Sequence, residues 1–219
     1  MALDFDGSND FVSYGNRTEF DGAAAVTWSF WMWCDVDEAN RLMMLRQASP
    51  GVGWAISATS LNRFQCNFGA GGGQNIGTTP VNAISIGRWQ HWFWVYDGTG
   101  VGNAGRLKCW LDGGAQTLAF SNTIPATIEP TSTANLLVGN TASPFDGKLA
   151  HIKIWMAALP TLVTQEMLSY RPTRTANLLV WSPYDDGVAG RNYAGNGFHG
   201  TVSGPLAVPG PAVEFGAAA

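Results

Sequence analysis

Asp4, Asp6, Asn9 and Asp10 place four hard oxygen donors within seven residues, the ligand type that suits Ca²⁺. The spacing is not that of an EF-hand. Counted from Asp4, the sixth position is Asn9 where that loop needs glycine, and the twelfth is Gly15 where it needs glutamate. The same residue types also form ordinary turns. Calcium is therefore the one ion this donor set suits, and no other cofactor is expected. Sugar recognition would require exposed aromatic platforms with a few fixed polar partners. Of the ten tryptophans, Trp54 and Trp181 are the least tied to strand alternation and are the candidate ligand or interface residues.

Other chemistry finds little support. "GVGNAG" (100–105) fits the dinucleotide pattern G-x-G-x-x-G literally, but that motif works only where it opens a helix whose N-terminus meets a pyrophosphate. Here "RLKCWLDG" (106–113) follows and reads as a strand, so the glycines make a hairpin loop. His91, His151 and His199 are far apart, with no cysteine pair beside them, which argues against zinc. No serine occupies a G-x-S-x-G elbow. The acidic run "CDVDEAN" (34–40) reads as a solvated turn.

These residues must be held by strands. Alternating or apolar runs occur at 2–5, 10–14, 25–34, 41–48, 52–59, 62–69, 88–97, 105–112, 115–121, 134–139 and 147–156. Turn chemistry separates them: Asp6-Gly7, Pro50-Gly51, "GAGGG" (69–73), Asp97-Gly98, Asp112-Gly113-Gly114 and Asp146-Gly147. Many short strands at this spacing predict an all-β, two-sheet antiparallel jelly-roll sandwich. One short helix is expected near 160–170, where Leu162, Val163, Met167 and Tyr170 share a face between Pro160 and Pro172. Two further strands are expected within 177–204, completing a single domain over 1–204. Residues 205–219 read as a Pro/Gly-rich extended tail.

Two strands have an unusual pattern. In "AVTWSFWMWCD" (25–35), Trp28, Phe30, Met32 and Cys34 oppose Trp31 and Trp33. In "RWQHWFWVYDG" (88–98), Trp92, Trp94 and Tyr96 oppose Trp89, His91, Phe93 and Val95. A sheet with one wet face alternates apolar with polar residues. These strands are therefore expected to be covered on both faces, by the chain itself or by another molecule.

Composition narrows the classes. The 219 residues are 46% hydrophobic and only 13% charged, with 27 glycines, which excludes a disordered chain. A net charge of −4 gives no reason to bind nucleic acid or an anionic membrane, and no apolar run reaches the ~20 residues of a membrane helix. Cys34, Cys66 and Cys109 fall in phase with apolar neighbours and read as buried thiols rather than a disulfide framework.

Several stretches resemble the laminin-G-like, concanavalin-A-like jelly rolls of bacterial and phage type. They are "ALDFDGSNDFV" (2–12), "RWQHWFWVYDG" (88–98), "RLKCWLDG" (106–113), "FDGKLAHIKIW" (145–155) and "AALPTLVTQEML" (157–168), in the family's order. The resemblance implies the sandwich fold and a calcium site at its rim. The family's late strand usually carries an acidic residue where this chain has Ala150, with His151 beside it. The segment around "NYAGNGFHGTVSG" (192–204) is similar to one that commonly precedes the first strand. Here it follows the helix, so it either folds back in cis or inserts into a neighbouring copy, and folding back is the expected arrangement because an empty slot would expose a sheet edge. Glycosidases of this fold imply a Glu-x-Asp-x-Glu or Glu-x-Asp-x-x-Glu strand. Glu19, Glu38, Glu129, Glu166 and Glu214 fit neither spacing, so no enzyme is expected.

Two functions follow as expectations. The first is a non-enzymatic structural or adhesion protein of a virus particle, such as a bacteriophage capsid decoration or fibre component. It would be made in the host cytoplasm without a signal peptide, displayed on the virion surface, homo-oligomeric, and partnered by capsid proteins. Deleting 205–219 would then weaken assembly and leave the fold intact. The alternative is a carbohydrate-binding, lectin-like module with glycan partners, assisted by calcium.

Overall fold

The computed structural model describes residues 1–37, 41–49, 52–71, 73–184 and 190–211. The expected Pro50-Gly51 turn, the end of the acidic run and the last residues of the tail lie outside that set.

Among the described residues, two eight-stranded antiparallel sheets face each other. The first contains β1 (Ala2–Asp6), β3 (Ala25–Cys34), β8 (Trp89–Asp97), β9 (Leu107–Leu111), β10 (Gly114–Gln116), β13 (Asp146–Trp155), β14 (Leu178–Ser182) and β16 (Leu206–Val208). The second contains β2 (Phe11–Asn16), β4 (Arg41–Ser49), β5 (Val52–Thr59), β6 (Arg63–Ala70), β7 (Gly73–Thr78), β11 (Ala119–Ser121), β12 (Asn135–Gly139) and β15 (Thr201–Ser203). The first runs β10-β9-β8-β3-β13-β1-β16, and the second β11-β7-β6-β5-β4-β12-β2-β15. β13 is long enough to pair along one edge with β1 at its start and β14 at its end.

The period-2 pattern decides which side chains face inward. Trp28, Phe30 and Met32 of β3 and Trp92, Trp94 and Tyr96 of β8 meet Trp54, Ile56, Phe64, Cys66 and Phe68 of the second sheet, all buried. Their rings interlock: Trp28 lies 4.9 Å from Trp54, Phe64 4.7 Å from Trp92, and Phe68 4.6 Å from Tyr96. Such pairs add about 0.5–1.5 kcal/mol each beyond the area they bury. The three cysteines are buried and unbridged.

The helix begins as a 3₁₀ turn (Pro160–Leu162) and continues as α2 (Val163–Leu168). "GVGNAG" contains one short helical turn, α1 (Gly102–Arg106), inside the β8–β9 hairpin connection, and a strand follows it. Two strand assignments need correction. The run 115–121 divides: β10 closes the first sheet, and after Thr117-Leu118 the chain crosses to the second as β11. β7, at the end of the glycine-rich run, is a strand that the glycines concealed. The C-terminal region returns in cis, with β14 on β13, β15 on β2 and β16 on β1. A boundary at residue 204 thus falls between two strands, and 206–208 belong to the first sheet.

Candidate functional site

The outer face of the first sheet carries the second set of aromatics. Strand register arranges it in rows. Trp89, Trp33, Lys148 and Asp4 form one row across β8, β3, β13 and β1. His91, Trp31 and Ala150 form the next, then Phe93, Ser29, Lys153 and Trp181, then Val95, Thr27 and Trp155.

The last two rows are covered by the chain. Val163 of α2 packs on Phe93 and Val95, while Leu159 packs on Trp155 and Leu178. Polar ties hold this cover down. Lys153 Nζ lies 2.6 Å from Glu166 Oε2 and donates to Ser169 O at 2.7 Å, and both ionised side chains are 1% exposed. Glu166 Oε1 accepts from the Thr173 N–H and hydroxyl. Trp155 Nε1 donates to Arg174 O at 2.7 Å, and Thr27 Oγ1 donates to Ala157 O at 2.7 Å.

Among the described residues the helical cover does not pack on the first row, and in the second His91 and Ala150 are buried while Trp31 is not. Trp31, Trp33 and Trp89 remain partly exposed there. Trp33 and Trp89 meet edge to face at 6.0 Å, and Trp31 lies 5.3 Å from the His91 ring. Polar groups fix the platform. Asp35 accepts from Trp33 Nε1 through Oδ1 (2.8 Å) and from Lys148 Nζ through Oδ2 (2.8 Å). Lys148 also faces Asp4 at 3.6 Å and stands 5.5 Å over the Trp33 ring. Burial would lower the Lys148 ammonium's pKa, but Asp35 and Asp4 outweigh it and raise the value. At the other end, Asp112 accepts from the His91 N–H at 2.7 Å and faces Arg88 at 3.6 Å. The arrangement offers partly exposed aromatic rings, inclined 64° to each other at Trp33 and Trp89, flanked by charged donors and acceptors.

The residues singled out from sequence fare differently. Trp54 is wholly buried between Trp28 and Phe20, so its candidacy as a ligand residue is corrected. Alternation alone placed Trp54 in no clear phase, and its strand partner Phe68 is itself a core residue. Trp181 is partly exposed on the outer face, in a separate cluster with Tyr170 (6.2 Å) and Tyr193 (5.6 Å). Asp4 faces Lys148 across the β1–β13 pair. Asp6 accepts from the Ser8 N–H, and Asn9 is exposed. Asp10 is 5% exposed, and its Oδ2 accepts from the Asp6 N–H at 3.0 Å. Its other oxygen presses on Gly204 (φ +92°), where a Cβ would approach to 1.7 Å, so only glycine fits. Among the described residues no group of three or more Asp, Glu, His or Cys side chains converges to hold a metal.

Sequence reasoning missed the platform itself, although the signal was present. Trp31, Trp33 and Trp89 occupy the phase opposite the core on two adjacent strands, and the helical cover is too short to reach all of them.

A two-sheet antiparallel sandwich with this strand order and one short helix on its outer face defines a jelly-roll domain. A family model described as the concanavalin A-like lectin/glucanases superfamily matches residues 6–161, and the chain belongs to that superfamily. No curated protein sequence matches the chain. Solved structures share the fold at low identity. A candidate carbohydrate-binding protein from Bacteroides ovatus is 20% identical with a TM-score of 0.69, over 94% of this chain and 58% of that one. This chain thus spans little more than half of that protein. The carbohydrate-binding module CBM40 of the Ruminococcus gnavus IT-sialidase, bound to α2,3-sialyllactose, is 10% identical with a TM-score of 0.54 (76% and 97% coverage). A heptameric SAP-like pentraxin from Limulus polyphemus is 11% identical with a TM-score of 0.52 (78% and 81%).

Proposed function

We propose that the chain is a non-catalytic, lectin-like glycan-binding module that uses the Trp31–Trp33–Trp89 face. One observation carries the reading: the outer face of the first sheet holds two clusters of aromatic side chains, and among the described residues the helical cover lies over only one of them. Three partly exposed tryptophans on one sheet face, braced by Asp35 and Lys148, form a rigid stacking surface with hydrogen-bonding groups at its edge. Apolar surface of this kind, rimmed by polar residues, marks a binding site. Carbohydrate-binding modules among the structures of like fold support the reading. A virion role with capsid partners has no counterpart among those proteins. The glycan reading, an alternative at the level of sequence, is therefore the better supported.

A glycan array probed with the full chain, followed by calorimetric titration of each hit, tests this. Trp33→Ala and Trp89→Ala are expected to weaken binding at least tenfold, whereas Trp181→Ala changes it less than twofold. Undiminished binding by both platform variants would place the site elsewhere.

A further inference from the structure

We infer that the platform selects neutral glycans bearing neighbouring hydroxyls and turns away glycans bearing carboxylates. This rests on the glycan-binding reading above. Asp35 and Lys148, 37% and 23% exposed, stand 2.8 Å apart, with Asp35 at the indole N–H of Trp33 and Lys148 5.5 Å from the centre of that ring. One accepts hydrogen bonds and the other donates them. Adjacent hydroxyls of a pyranose can satisfy both while a C–H face of the sugar lies on the indole, and no charge is needed on the ligand.

The charge pattern then acts against acids. Lys148 is shared between Asp35 and Asp4, so its charge is already compensated. Arg88, the cation at the other end, faces Asp112. Asp6 and Asp146, paired across β1 and β13, add two carboxylates near the Lys148 end. Their crowding has an internal signature. Burial first, then the charges of Asp35, Asp4 and Asp6, hold the Asp146 carboxyl above its ordinary range, although Arg41 pulls the other way. A ligand carboxylate entering beside Trp33 would lose water and meet like charge, because Lys148 and Arg88, the side-chain cations at the two ends, already face carboxylates.

The test uses matched pairs and the full chain: lactose against α2,3-sialyllactose, xylotetraose against its glucuronosyl derivative, and neutral array hits against their acid-bearing counterparts. Dissociation constants come from calorimetry at low and at high salt. The neutral member of each binding pair should bind at least tenfold more tightly, and the gap should shrink in high salt as the repulsion is screened. The double variant Asp4→Asn/Asp35→Asn keeps the amide oxygen that accepts from Trp33 and removes two charges. It should raise the acid-to-neutral affinity ratio threefold or more. Equal or tighter binding of the acid members, or a ratio that the double variant leaves unchanged, would overturn this selectivity and leave the glycan reading standing. Failure of every neutral and acid glycan to bind would overturn both.

Discussion

His91 and His151 are titratable groups on the outer face that are almost sealed from solvent, 1% and 4% exposed. His91 Nε2 shares a hydrogen bond with Ser29 Oγ at 2.9 Å, and the Nδ1 atoms of both rings are buried without partners. Burial depresses both rings from 6.5 to about 3, reinforced by the Lys153 charge at His91 and by the N-terminal ammonium and then Lys153 at His151. The unfolded chain therefore takes up protons near pH 6.5 that the folded chain refuses until about pH 3. Stability is fully present above 6.5 and declines as pH falls through that window, by up to about 1.4 kcal/mol per pH unit for each histidine. Asp10 and Asp146 act in the opposite sense, since burial raises their carboxyls in the folded state, and they offset part of the decline at more acidic pH. Urea unfolding at pH 7, 6 and 5 should show a falling midpoint, and His91→Gln should flatten the slope. A variant slope equal to wild type would mean that His91 is not the group that titrates. Nothing in the sequence around His91 announces this burial. Its phase on β8 is legible, but the groups that enclose it, among them Ser29 and Trp31 of β3, come from another strand that only tertiary pairing sets beside it.

At the scale of elements, the helical cover depends on a buried ion pair. Lys153 lies on β13, and Glu166 on a helix of six residues that could not persist alone in water. The pair is fully hydrogen-bonded, so breaking it leaves a buried charge without its counterpart. Lys153→Met should cost about 3–5 kcal/mol, whereas Lys153→Met/Glu166→Leu should recover most of that loss. Urea denaturation of the three proteins measures the difference, and a double variant as unstable as the single one would refute the pairing argument. The helix was legible from its prolines and its apolar face; the pair was not, because pattern alone marks Lys153 and Glu166 as solvated. Arg46 is a second such case. It lies wholly buried on β4, held by Asp21 (2.7 Å), Asn16 (3.0 Å) and Thr131 O (2.9 Å). Alternation is blind to cations whose partners come from distant loops. For the same reason 115–121 read as one strand. Local pattern records that a segment is extended, and only tertiary pairing decides where it changes sheets.

For the molecule as a whole, the question is where the domain ends. Tyr14 in β2 donates to Ser182 Oγ at 2.8 Å and lies 3.2 Å from the Tyr184 hydroxyl, so β14 and the core of the second sheet share one buried polar cluster. β15 then pairs with β2, and β16 pairs Leu206, Ala207 and Val208 with Asp4, Leu3 and Ala2. The side chain of Leu206 is 71% exposed, so β16 contributes backbone hydrogen bonds and edge protection more than buried apolar area. Ending the chain after Gly204 should therefore leave a cooperative fold while lowering its stability by about 1–2 kcal/mol, roughly 2–4 °C of Tm for each kcal/mol in a domain this size. It would also bare the edge of β1, an open template for strand pairing between copies. Light scattering should then show more self-association than the full chain does. A chain ended after Pro211 keeps β16 and serves as the control, because any loss seen only in the shorter chain belongs to residues 205–211. If the cut after Gly204 melted with the full chain and stayed the same size in solution, β16 would add nothing, and the sheet would close at β1.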